Sequence, residues 1–359
     1  MTTAARFEIE YTRILDESGQ VVEELPGFAA DTDTLVRMYE TMALTRAFDE
    51  KAIALQRTGR LGTYASSLGQ EAVAVGLAAA MRVDDVLAPS FREHGAQIWR
   101  GVTLTELFLF WGGDERGNDF SGPRGDFPAC IPVASQFPHA AGAAYAFQLR
   151  SEDRCAVVVG GDGSTSKGDF YEALNIAGAW RLPVVFVICD NAWAISVPRA
   201  EQSAAETLAQ KAIAAGLPGE QVDGNDVLAV RDAVERALFR ARAGEGATLI
   251  EALTYRLSDH TTADDASRYR EPAMVSAHWS AEPLTRLRAY LVAADCWTKA
   301  DEEALLAETR AEVDAAAAAY LAMQPQAPST MFDHLYGEIP ADLARQRAQA
   351  VDEMEATDA

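Results

Sequence analysis

The sequence predicts an α/β protein with one doubly wound parallel sheet and a helical C-terminal extension. Short apolar runs, typical of buried strands, alternate with longer runs in which apolar residues recur at helical spacing. One unit shows this clearly, because apolar runs at residues 155–159 and 182–189 enclose a helical pattern that ends near Trp180. A strand–helix–strand unit of this size forms a right-handed parallel crossover, so both strands end at the same edge of the sheet.

The first half of the chain supplies the elements that precede this unit. Residues 1–30 are predicted to form an extended arm, and residues 31–56 a helix whose apolar stripe begins at Leu35. Further elements are expected as helices at residues 69–81, 103–110 and 140–149, a strand at residues 86–89, and a glycine- and charge-rich loop at residues 112–127.

A glycine turn joins the first strand of the central unit to its helix. The glycines of residues 160–163 permit positive φ and a close approach of a ligand to the backbone. Residues 164–166 are expected to supply the N-cap of the helix. Asp169 falls in the first helical turn, where a carboxylate complements the helix dipole.

The second half of the chain continues the alternation and ends in helices. Helical patterns are expected at residues 204–215, 227–242, 298–321 and 331–348, a turn at residues 222–226, a last strand at residues 248–257, and a polar loop at residues 258–270. Thr298 and Asp301 match a capping box at the start of the long alanine-rich helix. We therefore expect one α/β domain over residues 31–290 and a helical extension over residues 291–359.

Composition argues against several classes of function. A formal net charge of −23 opposes binding to nucleic acid or to an anionic membrane. The sequence has no apolar run of membrane-spanning length, and its first residues lack the apolar segment of a signal peptide. The cysteines show no C-x-x-C spacing, which indicates reduced thiols in a cytoplasmic protein. They are Cys130, Cys155, Cys189 and Cys296.

Polar residues follow both strands of the central unit. Asp162 comes directly after the first strand, and Asn191 comes after the second. Because the carboxyl ends of parallel strands meet at one edge of a sheet, the two side chains can converge. Carboxylate and amide oxygens suit Mg²⁺, and free N–H groups at a helix start bind phosphate. The sequence therefore predicts a Mg²⁺-diphosphate site at this edge.

These residues resemble a known signature. Gly161-Asp162-Gly163 and Asp190-Asn191, at this spacing and on these elements, resemble the GDG…NN motif of thiamine-diphosphate enzymes. The resemblance implies the thiamine-diphosphate-binding fold, with thiamine diphosphate and Mg²⁺ as cofactors. It also implies three metal ligands, which are Asp162, Asn191 and the backbone carbonyl of Trp193. Asp190 departs from the motif, which has Asn at that position.

Two further motifs extend the resemblance. Phe91-Arg92 is similar to a Tyr/Phe-Arg pair that contacts the cofactor, and Phe91 lacks the hydroxyl of the frequent Tyr. His260 matches the histidine of a Y-R-x-x-x-H-[ST]-x-x-D pattern, which binds the diphosphate side and helps in acyl transfer. Alone, either residue would more often be a solvated surface residue. The implied cofactor-binding residues are Phe91, Arg92, Val133, Gly161, Asp162, Gly163, Ser164, Asn191 and His260.

The resemblance covers residues 7 to 348 and is to the alpha subunit of the two-chain 2-oxo acid dehydrogenase component. It implies oxidative decarboxylation of a 2-oxo acid and transfer of the acyl group to a lipoyl domain of the complex, which is built on a core acyltransferase. In this family a carboxylate of the beta subunit activates the cofactor. The chain is therefore expected to act in a heterotetramer of two alpha and two beta chains and to be inactive alone.

The substrate is a choice between related 2-oxo acids. Residues 64–72 are similar to bacterial pyruvate dehydrogenase alpha chains, whereas residues 131–134 and 258–265 are similar to branched-chain ones. Pyruvate is favoured on balance, and an acetoin dehydrogenase alpha chain is a further alternative. A non-enzymatic acidic scaffold would require Asp162, Asn191, Arg92 and His260 to coincide by chance.

Overall fold

The computed structural model describes residues 2–358, and side chains up to residue 354. Its contacts form two compact units, one that ends at Ala317 and one that begins at Ala318. The first unit holds every strand of the described residues, and the second holds the last described helix.

The strands are β1 (Glu10–Thr12), β2 (Val86–Ala88), β3 (Ala156–Gly161), β4 (Val184–Asp190), β5 (Trp193–Ala194), β6 (Val197–Pro198), β7 (Gly219–Asp223) and β8 (Thr248–Leu253). The α-helices are α1 (Thr32–Arg57), α2 (Glu71–Ala80), α3 (His94–Arg100), α4 (Leu104–Trp111), α5 (Gln136–Leu149), α6 (Gly168–Trp180), α7 (Arg199–Gln202), α8 (Lys211–Ala214), α9 (Val227–Arg242), α10 (Pro272–His278), α11 (Pro283–Ala293), α12 (Lys299–Ala322) and α13 (Ala341–Asp358).

Six strands form one fully parallel sheet in the order β1-β7-β8-β4-β3-β2, which confirms the predicted fold class. Side chains alternate between its faces, as in a sheet covered on both sides. Val157 and Val185 pack in the cluster that includes α1, α2 and α9, whereas Val158 and Phe186 pack in the cluster that includes α5 and α6. β3 and β4 end almost level, because Gly161 pairs with Cys189. Residues that follow these two strands are therefore neighbours.

The N-terminal arm is fastened to the sheet by a buried carboxylate. β1 pairs in parallel with β7 at the edge of the sheet. Asp226 Oδ2 accepts hydrogen bonds from the backbone N–H groups of Ile14 and Leu15, at 2.8 and 2.6 Å. Its Oδ1 caps α9 by accepting from Leu228 N–H at 3.1 Å. Burial raises the pKa of Asp226 to about 6. One carboxylate therefore joins the arm to a core helix.

The glycine turn after β3 differs from the prediction in its local geometry. Gly160, Gly161 and Gly163 all have negative φ. The turn over 162–166 is a 3₁₀ helix, and the N-cap of α6 is Lys167, which makes no side-chain cap. The predicted N-cap by residues 164–166 is therefore wrong. The Ser164 hydroxyl instead donates to the Gly161 carbonyl at 2.5 Å, because this tight turn leaves that acceptor within its reach.

The region after β6 also differs from the prediction. The continuous helix expected at 204–215 is wrong, since α8 is the one α-helix that forms in that range and α7 ends before it at Gln202. Thr207 and Gln210 exchange hydrogen bonds between side chain and backbone at 2.9 and 3.1 Å, which delays the helix until α8. Part of the predicted turn at 222–226 belongs to strand β7, and the strand predicted to reach residue 257 ends at Leu253.

The helix predicted at residues 331–348 is wrong in its bounds, since α13 begins only at Ala341, whereas two other predictions match closely. α9 has the predicted bounds, and the capping box before α12 forms, with Thr298 N–H donating to Asp301 Oδ2 at 2.9 Å. The four cysteines are free, as expected. Within residues 2–358, no helix is long and apolar enough to cross a membrane.

Candidate functional site

A cavity of about 220 Å³ lies at the carboxyl ends of β2, β3, β4 and β8. Ligand sites of open α/β sheets form at this position. The structure places all ten residues named from the sequence around this one cavity. They are Phe91, Arg92, Val133, Gly161, Asp162, Gly163, Ser164, Asn191, Trp193 and His260.

Two buried carboxylates lie at the ends of adjacent strands: Asp162 directly follows β3 and lines the cavity, and Asp190 is the last residue of β4. Asp162 is only 1% exposed, and its Oδ2 atom is buried without a hydrogen-bond partner among the described residues. Burial raises the pKa of Asp162 to about 6. Burial and the charge of Asp162 together raise the pKa of Asp190 to about 7, although Asp190 also pairs with Arg199 at 3.1 Å. A buried carboxylate oxygen without a hydrogen-bond partner is stabilised by a bound cation or by protonation.

Neutral oxygens lie on the loop that follows β4. The Asn191 side chain accepts a hydrogen bond from the Trp193 N–H at Oδ1, at 3.2 Å. The Trp193 carbonyl accepts from Arg256 at 3.1 Å, which leaves it one lone pair. Ala192 and Ile195 both have left-handed backbones, with φ of 70° and 57°. Strained non-glycine residues of this kind concentrate at ligand sites.

The metal-binding capacity of the cavity rests on these oxygens. No group of three His, Cys, Asp or Glu side chains in the described chain is arranged to hold a metal ion. A cation here would therefore bind the Asp162 carboxylate, the Asn191 amide oxygen and a backbone carbonyl. Such a mixed set of hard oxygen donors suits Mg²⁺, which keeps several waters and few protein ligands.

Two buried guanidinium groups line the cavity and have no carboxylate partner in the part of the chain that the structure describes. Arg92 donates to the Ser66 carbonyl and to the His260 carbonyl, both at 2.6 Å. Arg256 donates to the Ile195 carbonyl at 2.8 Å. Burial and the charge of Arg256 lower the pKa of Arg92 to about 10. Within the described residues both guanidinium groups donate to neutral acceptors, so their positive charges are not compensated and can bind an anion.

His260 lies between these two cations. Its Nδ1 is 3.0 Å from Arg92 NH2, and its backbone N–H donates to Asp264 at 2.9 Å. Tyr269 donates to the same Asp264 carboxylate, which fixes the loop that carries the histidine. Burial and the two guanidinium charges lower the pKa of His260 to about 4. His260 is therefore a neutral imidazole at physiological pH.

Two glycines of the turn, Gly160 and Gly163, are required by packing. A Cβ at Gly160 would lie 2.6 Å from the Phe137 ring and 2.6 Å from Ser164 Oγ. A Cβ at Gly163 would lie 2.9 Å from the Ala194 Cβ. The glycines therefore let β3 and the following turn lie close to neighbouring elements, which is a different reason from the expected positive φ.

The mouth of the cavity is apolar and open. Val133 is 50% exposed and Ile195 is 57% exposed, although both line the cavity. The cavity lining carries two carboxylates within the described residues, Asp162 and Glu93. Glu93 is already engaged, because it accepts from the Ser90 hydroxyl at 2.9 Å. No free carboxylate of the described chain therefore lines the mouth.

Comparison with known proteins agrees with this geometry. Residues 39–328 match the family model described as "Dehydrogenase E1 component". The chain belongs to the dehydrogenase E1 component family. It is 41% identical over 346 residues to proteins named pyruvate dehydrogenase E1 component subunit alpha from Staphylococcus aureus and from Staphylococcus epidermidis. These matches cover 96% of this chain and 93% of each relative.

The family assignment made from the GDG motif is thus confirmed. Membership of the dehydrogenase E1 component family implies dependence on thiamine diphosphate, and the fold agrees with that family. The roles expected for individual residues rest on the motif and on the geometry described above.

Several residues that line this E1 site were not expected to do so from the sequence. Gln70, Gln136 and Arg256 all face the cavity and are buried. Arg256 could have been identified, because it is the arginine of the Y-R-x-x-x-H pattern that carries His260. Gln70 immediately precedes helix α2, and the sequence around it predicted only the start of that helix. Gln136 gave no signal, since its role depends on reaching the Val159 carbonyl, at 2.7 Å, across the sheet edge.

Proposed function

We propose that this chain is the alpha subunit of a pyruvate dehydrogenase E1 component, acting in the cytoplasm. It would hold the diphosphate and Mg²⁺ half of a thiamine-diphosphate site that is completed by a beta subunit. The reaction is oxidative decarboxylation of pyruvate, followed by transfer of the acetyl group to a lipoyl domain of the complex. The proposal draws on the chain's relatives for the substrate and on its own cavity for the cofactor.

The observation that carries the proposal is the combination of unpaired charges in one cavity. Among the side chains described up to residue 354, Asp162 presents a buried carboxylate oxygen without a partner, while Arg92 and Arg256 are buried cations held only by neutral acceptors. A metal ion and a polyanion bound together would satisfy both needs. The Mg²⁺ complex of a diphosphate is a ligand of this kind, so the residues fit the cofactor that the family implies.

Each residue then has a distinct part. Asp162, Asn191 and the Trp193 carbonyl would hold Mg²⁺, and Arg92 and His260 would donate hydrogen bonds to the diphosphate. Gly161, Gly163 and Ser164 form the turn at the end of β3 that lines the same end of the cavity. Phe91 and Val133 supply apolar walls nearer the mouth. When bound, thiamine diphosphate supplies the electron sink for decarboxylation.

A second chain is proposed because the cavity is incomplete. Its volume of about 220 Å³ is below that of typical small-molecule sites, roughly 300–1,000 Å³. Its mouth is apolar, and no free carboxylate of the described chain lies there to activate a cofactor. A beta subunit in a tetramer of two alpha and two beta chains would supply both the missing wall and the carboxylate. The lipoyl domain and the core acyltransferase of the complex would be the further partners.

The test is to purify this chain with its beta subunit and to compare substrates. The complex should bind thiamine diphosphate in a Mg²⁺-dependent manner. It should oxidise pyruvate with an artificial electron acceptor at a higher kcat/KM than 3-methyl-2-oxobutanoate or acetoin. The isolated chain should show no turnover.

The outcomes separate the parts of the proposal. Robust turnover by the isolated chain would exclude the shared site. A preference for 3-methyl-2-oxobutanoate would instead assign the chain to branched-chain 2-oxo acids, which the sequence of residues 131–134 favours. Absence of cofactor binding by the complex would exclude the thiamine-diphosphate function altogether.

A further inference from the structure

Gln70 is a buried amide that lies beside the proposed metal ligand Asn191. It immediately precedes helix α2, is 4% exposed and lines the cavity. Its Oε1 accepts a hydrogen bond from Asn191 Nδ2 at 3.0 Å and one from the Cys189 thiol at 3.2 Å. Its Nε2 is buried without a hydrogen-bond partner in the described part of the chain. The proposed mechanism gives Gln70 no role.

The orientation of both amides follows from one backbone donor. The Trp193 N–H can only donate, so the Asn191 atom at 3.2 Å from it must be the oxygen. The other Asn191 atom is then the NH₂ group, and the Gln70 atom that faces it must be the oxygen Oε1. The Cys189 thiol donates to the same oxygen and favours the same orientation. Gln70 Nε2 is therefore turned away from Asn191.

The hydrogen bond from Asn191 to Gln70 has a consequence for the proposed metal site. A free asparagine side chain can rotate so that NH₂ and oxygen exchange places, and NH₂ cannot ligate a cation. Rotation of Asn191 would place its NH₂ group against the Trp193 N–H and its oxygen against the oxygen of Gln70. Both new contacts would be repulsive, and both partners are buried. The acceptor on Gln70 thus keeps the Asn191 oxygen turned away from Gln70 and beside the Trp193 N–H, where a second lone pair remains for a cation.

We infer that Gln70 is a positioning residue for metal-dependent cofactor binding, and that it acts through its acceptor oxygen on Asn191. This inference rests on the proposed function, since it requires Asn191 to be a metal ligand. Residues that orient a metal ligand typically change metal affinity by about 10–100-fold when they are replaced.

The experiment compares two substitutions of similar size in the complex with the beta subunit. Gln70→Met removes the acceptor, whereas Gln70→Glu keeps an acceptor for Asn191 Nδ2 and exchanges the NH₂ group for a second carboxylate oxygen, which also adds an ionisable group. Binding of thiamine diphosphate is measured by calorimetry over a series of Mg²⁺ concentrations. Thermal unfolding without cofactor verifies that both variants are folded.

For Gln70→Met we expect the Mg²⁺ concentration for half-maximal binding to rise by about 10–100-fold. For Gln70→Glu we expect a smaller rise than for Gln70→Met, since the orienting hydrogen bond is kept. Wild-type behaviour of a folded Gln70→Met complex would overturn the inference, and so would equal loss in both variants. A wild-type complex that binds no thiamine diphosphate would overturn the proposed function, and this inference with it.

Discussion

Arg92 donates to His260 at two points, the Nδ1 atom at 3.0 Å and the backbone carbonyl at 2.6 Å. A guanidinium cannot accept a hydrogen bond, so Nδ1 carries no proton and the ring N–H must be at Nε2. Arg256 NH1 also approaches Nδ1, at 3.4 Å. Together with the pKa of about 4, this makes His260 a neutral donor through Nε2. An anion bound beside the two arginines would offset their charge and raise the pKa of His260.

We predict that His260→Ala lowers reductive acylation of the lipoyl domain more than it lowers turnover with an artificial acceptor. Acyl transfer needs a proton at a lipoyl sulfur, whereas the artificial assay does not, and a general acid is typically worth about 10²–10⁴-fold. His260→Gln, which keeps a hydrogen-bond donor, should retain cofactor affinity and still lose acylation. If both activities fall together and excess cofactor restores them, His260 only anchors the diphosphate.

We predict that Asp162→Asn abolishes the Mg²⁺ dependence of cofactor binding without weakening the fold. The substitution removes the anionic ligand, and affinity should fall by more than about 100-fold. One oxygen of this buried carboxylate has no hydrogen-bond partner among the described residues, so removing the charge should leave the unfolding temperature of the cofactor-free complex unchanged or higher at pH 7.5. Calorimetry and thermal unfolding measure the two effects. Wild-type affinity in the folded variant would rule out Asp162 as a metal ligand.

We predict that Gly160→Ala destabilises the protein and that Gly161→Ala does not. A Cβ at Gly160 would lie 2.6 Å from the Phe137 ring, whereas a Cβ at Gly161 would meet no atom nearer than 4.0 Å. Forcing a methyl group into a packed core costs about 1–3 kcal/mol. Denaturant unfolding of the two variants measures the difference. Equal stability of the pair would show that the core can relax around residue 160.

We predict that the contribution of Asp226 to the stability of the folded state declines as pH rises from about 4 to 6. Burial raises the pKa of Asp226 from 3.8 to about 6 in the folded protein, so the folded state retains the proton to higher pH than the unfolded chain. The stabilisation is complete below pH 3.8 and is lost as pH passes through 6. Asp226→Asn lacks this titration. The stability of wild type relative to the variant should therefore decline over this range, and a constant or widening advantage would contradict the assignment.

The sequence was sufficient for the fold class and for placing its candidate residues around one cavity. β3, α6 and β4 were visible as apolar runs around a helical pattern, because a strand buried on both faces has few polar residues. The site residues follow the ends of these strands, so their convergence could be inferred from parallel topology alone. Asp162 and Asn191 are the clearest cases, since both line the cavity as expected.

Strand β7 could not be recognised in this way. It has the sequence Gly-Glu-Gln-Val-Asp, with one apolar residue, and its polar side chains are satisfied by tertiary contacts. Glu220 pairs with Arg236 at 2.6 Å, and Gln221 donates to Glu251 at 3.0 Å. The lowered pKa of His260 could not be predicted from the sequence either, because it also depends on tertiary contacts. It depends on Arg92 and Arg256, which reach the imidazole from the ends of two different strands.

The pairing of β1 with β7 has a consequence for biosynthesis. Glu10 lies opposite Glu220 in the sheet. The first strand to be synthesised, β1, therefore pairs with a strand that is synthesised much later, β7. A ribosome that adds about 5–20 residues per second needs roughly 10–40 seconds to cover that interval. During this time the arm has neither its sheet neighbour nor the Asp226 carboxylate that receives Ile14 and Leu15. The edge of the sheet is therefore closed only after most of the domain has been synthesised.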